Sequence, residues 1–211
     1  LIVFDSFAFI QLPHKFQPEG VLALLAEAKK HSQRDWLMCC VAFLHALRAH
    51  EVVGGIASWK NKKTGEKVVA RYPGLRASNV IGTKLVVKRL KNSNPVEDEL
   101  IEHGNPLLNE RQALIELCRS TPANQRLFPI SARTFQRRMH TYGEAAGLPE
   151  LHCHPHTLKH SMLSYLRTKM DLDELQDRSG HKSLDSLKIY EHLDKAAIDG
   201  KVSAALASIG V

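Results

Sequence analysis

A chain of 211 residues, 44% hydrophobic and 24% charged, can build one generous core or two small ones, which excludes disorder over most of its length. Its 29 basic and 22 acidic residues leave a formal charge of +7 and a pI near 9.3, a balance that favours a polyanion partner, chiefly nucleic acid. No apolar run approaches the ~20 residues of a membrane span, and the apolar opening LIVFDSFAFI lacks the basic flank of a secretory signal.

Residues 1–17 read as a lead-in segment, and with no initiator Met the chain reads as an excised fragment. Pro18 opens a helix whose apolar face carries Val21, Leu24, Leu25 and Ala28. Ser32 is placed to cap a second helix, with Trp36, Leu37, Cys40, Val41, Leu44 and Leu47 at its apolar positions. That helix is expected to carry Arg48 and Glu51 and to end at the Gly54-Gly55 pair. Cys39 and Cys40 lie within its apolar run, where reduced core cysteines, and hence a reducing cytosolic setting, are the simplest reading. Residues 55–83 hold turn material, a short β-like VVARY and Pro73-Gly74. KLVVKRLK and VEDELI, separated by Asn92–Pro95, predict a β-hairpin.

A helix is expected from Asn105-Pro106 to Pro122, and another, capped by Ser131, to Gly147. Pro155 starts HTLKHSMLSYLRTKM, and Asp171 starts a short helix closed by Gly180. One more short helix runs to Tyr190, and residues 194–211 form an amphipathic tail. Helices with one small inserted sheet define an α+β fold, mainly α-helical, rather than alternating βα units.

Three local clusters could carry chemistry. Arg48 and Glu51 are three apart, a spacing that an ordinary surface ion pair also satisfies. His156 and Lys159 are expected one turn apart on one helix face. Gly180-His181 stands at a helix junction nine residues before Tyr190.

Taken in order, HALRAHE, KRLKNSNP, HTLKHS and GHKSLDSLKIY resemble the motifs of the tyrosine recombinases, the phage integrase family, over residues 18 to about 195. That resemblance implies a tyrosine-recombinase catalytic fold spanning residues 18–211, with a DNA-clamping domain on its N-terminal side. It implies a DNA strand transferase that cuts and rejoins double-stranded DNA through a 3′-phosphotyrosine, with neither metal nor other cofactor. Tyr190 would be the nucleophile and the hairpin lysine, Lys91, the general acid. Arg48, His156, Lys159 and His181 would contact the scissile phosphate, with Glu51 holding Arg48. Chemically this suits the residue types: tyrosine, with a pKa near ~10, needs its proton removed, and fixed cations stabilise charge developing on phosphate oxygens.

Lys91 is preferred over Lys84, Lys88 and Arg89 for its place at the hairpin turn. Lys159 stands where the family pattern has Arg, keeping the charge but not the bidentate grip. Arg76, in PGLRAS, mimics the first motif but lies only 15 residues before Lys91. DNA-backbone contacts are expected from Lys88 and Arg89 on the hairpin and from Arg133, Arg137 and Arg138 on one helix. His152, Cys153, His154, His156 and His160 invite a zinc reading, which the lack of any CxxC or HExxH companion disfavours. The family implies a homo-oligomer on DNA, up to a tetramer, or a monomer in isolation, in the cytoplasm of a bacterial, archaeal or phage-derived system. Two other readings share the fold: a topoisomerase-like nicking and resealing enzyme, and a DNA-binding module impaired by Lys159.

Overall fold

The computed structural model describes residues 14–61, 64–90 and 93–193. Lys91 and the tail of residues 194–211 therefore lie outside the described residues, as does most of the lead-in segment. Its last residues are packed: Phe16 is buried, its N–H donates to Ser161 Oγ (2.8 Å) and its carbonyl accepts from Tyr165 Oη (3.1 Å).

Helix α1 (Pro18–His31) buries Val21, Leu24, Leu25 and Ala28, the expected stripe. Ser32 caps α2 (Gln33–Leu44), its hydroxyl accepting from the N–H groups of Arg34 and Asp35. Every residue of α2 from Asp35 to Leu44 is buried, which makes it the central helix of the core. Each large apolar side chain placed there contributes roughly 1.5–3 kcal/mol of burial.

Helix α2 stops earlier than its apolar spacing implies. Ala46 takes a left-handed conformation (φ 48°), with Ala46 N–H bonded to Phe43 O (3.0 Å) and Leu47 N–H to Ala42 O (2.9 Å). That pair of bonds closes the last turn and frees the chain to change direction. Arg48 is consequently not at a helix end; it is the residue that precedes the short α3 (Ala49–Val53).

The stretch 55–83, opaque in the sequence, contains a two-stranded ribbon. Strands β1 (Gly55–Lys60) and β2 (Lys67–Tyr72) pair antiparallel, Gly55 opposite Tyr72 and Lys60 opposite Lys67. The return chain crosses α3 at close range: Leu75 N–H donates to Val52 O (2.9 Å), and Gly54 and Gly74, both with positive φ, meet backbone to backbone. A Cβ on Gly74 would stand 2.6 Å from Gly54 N, so only glycine permits the crossing.

A three-stranded sheet follows: β3 (Val80–Ile81), β4 (Lys84–Val87) and β5 (Val96–Glu99), in that spatial order and all antiparallel. The anticipated hairpin is thus present as β4–β5, widened by β3. Helix α4 (Arg111–Arg119) begins five residues after Pro106, later than the Asn105-Pro106 signal suggests. Asn105 instead forms a turn, its side chain accepting from Leu107 N–H (2.9 Å). That turn offers Leu107 O to Trp36 Nε1 (2.9 Å).

Helix α5 (Ala132–Ala145) is capped by Ser131, and α6 (Pro155–Arg167) starts on its proline. Helix α7 (Leu172–Ser179) is capped reciprocally by Asp171 and Glu174 and closed by left-handed Gly180. Two 3₁₀ segments, Leu184–Ser186 and Lys188–Leu193, deliver Tyr190.

Candidate active site

Glu51 organises the site. Its side chain is buried and its four acceptor contacts come from two elements. Oε1 accepts from Arg48 Nη1 (3.0 Å) and from Leu90 N–H (2.7 Å). Oε2 accepts from Arg48 N–H (2.7 Å) and Arg89 Nη1 (3.2 Å). Burial opposes its charge, but the Arg89, Arg48 and Lys159 cations outweigh burial and hold its carboxyl below the ordinary range. One ionised carboxylate thus fixes Arg48 and also pins the backbone beside Lys91.

The expectation that Arg89 contacts DNA is wrong. Its side chain is 2% exposed, bonded to Glu51, Ala46 O (3.3 Å) and His45 O (3.0 Å). It serves as an internal brace between the hairpin and the turn after α2. A second brace lies beneath: His45 bonds Asp98 through Nδ1 (3.1 Å) and Glu110 through Nε2 (2.5 Å), and Arg178 pairs with Asp98. Burial disfavours charge on His45, but the two carboxylates overcome it and raise its pKa.

Helix α6 separates its motif residues more than their spacing implied. His156 is exposed and, with Arg48, His50 and His154, lines a 360 Å³ cavity. Lys159 is 2% exposed and turns inward, its Nζ 3.5 Å from His181 Nε2. His181 Nδ1 lies 2.6 Å from Ser179 Oγ, which itself donates to Gln176 O (3.3 Å). With Lys159 donating to Nε2, the ring proton belongs on Nδ1, facing Ser179. Burial, then the Lys159 and Arg48 charges, push the His181 pKa down to about 3.

Tyr190 is 2% exposed, with its hydroxyl 2.5 Å from His160 Nδ1. Burial raises the phenol pKa, partly offset by Arg48. Burial and the neighbouring His156 and Lys159 push His160 down to about 3, so the ring is neutral, and in the tautomer with its proton on Nε2 its Nδ1 accepts from the Tyr190 hydroxyl. His156 stacks edge-on against His160 (centroids 4.6 Å apart). The sequence assigns His160 no role beyond the HTLKHS motif and the disfavoured zinc cluster; its i,i+4 spacing from His156 is the signal that places the two rings together. Among the described residues no group of three or more His, Cys, Asp or Glu has metal-holding geometry. Cys153 is instead buried against Gly143, its thiol 3.3 Å from Pro149 O.

The proposed basic stripe on α5 divides. Arg133 and Arg137 are exposed, and Arg133 lines a cleft with His50 and Arg126. Arg138 departs from the expectation: it pairs with Asp35, which also accepts from the Tyr142 hydroxyl, so its charge is committed to holding α5 on α2. Lys88 is exposed on the hairpin.

A buried tyrosine bonded to a histidine thus lies within the field of Arg48, with the Lys159–His181 pair close to the same helix. The model of the phage integrase family matches residues 15–197, and the chain belongs to that family, the tyrosine recombinases. It is 35% identical over 101 residues to tyrosine recombinase XerC of Actinobacillus pleuropneumoniae and 42% identical over 66 residues to that of Histophilus somni. Those matches cover 47% and 31% of this chain, and the chain spans only 33% and 22% of those relatives.

Among solved structures, XerA recombinase superposes with a TM-score of 0.64 at 18% identity, over 92% of this chain and 65% of that one. The catalytic domain of bacteriophage HP1 integrase gives 0.58 at 16% identity, over 90% and 94%. These likenesses establish the fold as that of tyrosine-recombinase catalytic domains. Among the described residues no helix is long and apolar enough to cross a membrane.

Proposed function

We propose that this domain is the catalytic part of a site-specific DNA recombinase, with Tyr190 as its nucleophile. The observation that carries the reading is the 2.5 Å contact between the Tyr190 hydroxyl and neutral His160 Nδ1, amid Arg48, Lys159 and His181. Tyr190 Oη attacks phosphorus and passes its proton to His160. The bond from phosphorus to the 5′ oxygen breaks, and Lys91 protonates that oxygen. A 3′-phosphotyrosine and a free 5′-hydroxyl result, and attack by a 5′-hydroxyl on the phosphotyrosine reverses the step. Arg48, His156, Lys159 and His181 stabilise the negative charge on the non-bridging oxygens. Because Tyr190 is covered, attack requires the 3₁₀ segments around it to shift and present the hydroxyl.

Double-stranded DNA is the partner, with Lys88, Arg133 and Arg137 on the backbone. Relatives of the same fold are described as XerH bound to difH substrate and as a lambda integrase tetramer bound to a Holliday junction. By that likeness the working form is a homo-oligomer on DNA, up to a tetramer, in a bacterial cytoplasm.

The test is covalent capture from a randomised pool of nicked suicide duplexes, on which the released strand diffuses away. A protein–DNA adduct that vanishes in Tyr190→Phe supports the reading. DNA binding with no adduct would leave a non-catalytic DNA-binding module instead. Exchange between two captured duplexes, rather than relaxation of one, separates a recombinase from a topoisomerase-like enzyme.

A further inference from the structure

Away from the tyrosine, a 970 Å³ cleft lies between the β1–β2 ribbon and the chain leading into α5. Four arginines line it from four different places: Arg34 at the start of α2, Arg71 on β2, Arg76 beyond Gly74, and Arg126 before α5. No aspartate or glutamate lines it, and its neutral polar groups include Ser120, Thr121, Asn124 and Gln125. Arg76 Nε is buried without a hydrogen-bond partner among the described residues, so one guanidinium is held with donor capacity unused. Arg126 is anchored by Nη1 on Val53 O (2.9 Å).

The cleft is continuous with the catalytic cavity. It shares Gly55, Ile56, Arg126 and Pro129 with a second, 440 Å³ cleft that contains His50 and Arg133. That second cleft shares His50 and Ala132 with the cavity of Arg48 and His156. Adjoining clefts thus carry Arg48, then Arg133 and Arg126, then Arg71, Arg76 and Arg34.

We infer that this arginine cleft holds the phosphodiester backbone of the duplex flanking the cleavage site, on the side to which the β1–β2 ribbon extends. The inference rests on the DNA-acting reading above and adds to it a specific track for the flank. Four guanidiniums on separate elements, spread over an open trough with amide and hydroxyl donors between them, match a line of successive phosphates. A single small anion would use one converging pocket. Backbone contacts of this kind come from arginine together with Ser, Thr, Asn and Gln side chains and fix the register of protein on DNA.

The test uses a duplex captured by the wild-type protein and two variants, Arg71→Gln and Arg34→Gln/Arg71→Gln, both at exposed positions, with thermal melting as the control for folding. Dissociation constants are measured across a salt series for the full duplex and for duplexes trimmed from either end. The double variant should bind the full duplex several-fold more weakly, with a salt slope shallower by about 2 because each lost phosphate contact removes about 0.9. Trimming one particular flank should abolish the difference between variant and wild type. Equal affinity and equal slope on the full duplex, with the wild-type adduct still forming, would overturn the cleft alone. A weakening that persists on every trimmed duplex would also overturn it, because the arginines would then act without the flank. Failure of the wild type to bind or capture any DNA would overturn the functional reading and this inference together.

Discussion

Removing the His160 imidazole should cost strand cleavage far more than it costs folding. A phenol of pKa near ~10 at pH 7 is about three units from ionised, so free phenolate lies about 4 kcal/mol uphill. Burial makes that gap larger for Tyr190. His160, 2.5 Å away and neutral, can accept the proton as the Tyr–phosphorus bond forms. Its pKa of about 3 makes it a weak base at rest, but an incoming phosphodiester brings the negative charge that favours an imidazolium.

General-base assistance of this kind is worth roughly 10²–10⁴ in rate, or about 3–5 kcal/mol, whereas the hydrogen bond itself contributes about 1 kcal/mol to stability. His160→Ala should therefore slow single-turnover cleavage of a suicide duplex by about 10²-fold or more. His160→Gln can still accept a hydrogen bond but cannot take a proton, and should remain nearly as slow. A bridging 5′-phosphorothiolate, whose leaving group needs no proton, should rescue Lys91→Ala and leave the His160 defect in place. Cleavage by His160→Gln within about 3-fold of wild type would refute proton transfer and leave only a positioning bond; wild-type rates in both variants would remove His160 from the site.

Three other outcomes follow from the geometry. Lys159→Ala should depress cleavage about 10²-fold while Lys159→Arg preserves or raises it; equal single-turnover rates in all three proteins would remove Lys159 from the phosphate site. Gly180→Ala should destabilise the fold by about 2–4 kcal/mol in urea unfolding, because the position is left-handed (φ 68°) and a Cβ would stand 2.6 Å from Asn94 O. Stability should peak near neutral pH. His160 and His181, lowered to about 3, support the fold above pH ~6.5 and lose that support as pH falls, by about 1 kcal/mol each by pH 5 after allowing for partial exposure. His45, raised, supports it below ~6.5 and loses that support as pH rises through its folded value. A urea midpoint that stays flat from pH 5 to 7 would contradict the acid limb.

The helical frame was legible because its signals are local. Ser32, Ser131 and Asp171 cap where their side chains dictate, and Pro18 and Pro155 open helices where a missing N–H costs nothing. The break after Leu44 was not, since Ala46 takes a left-handed turn that no local residue type demands. The β1–β2 ribbon was half legible: VVARY, read as β-like, lies in β2, whereas β1 was missed, its outer face mixing exposed Ile56 with Lys60. At the site, order and spacing of motifs drew Arg48, His156, Lys159, His181 and Tyr190 toward one region, but could not assign their exposure. Lys159 and His156 share a helix turn, yet one is buried against His181 and the other lines the cavity.

Charge is where sequence reading misled most, and the cause is physical. Arg89 and Arg138 look like surface cations because nothing nearby in the chain neutralises them. Their partners, Glu51 and Asp35, are 38 and 103 residues away. An arginine whose counter-ion arrives through tertiary packing becomes structural. One that opens onto a cleft lined by no carboxylate, as Arg34, Arg71, Arg76 and Arg126 do, keeps its field for an external anion. The same logic orders the site itself. Glu51 is the carboxylate that two arginines share, and its bond to Leu90 N–H ties the hairpin to the short helix that follows Arg48. With Arg89 committed to Glu51, the fold holds Arg48 and the Leu90 backbone in a common frame. Net charge alone therefore says little about where DNA lies; the distribution of buried acids decides which cations remain to meet it.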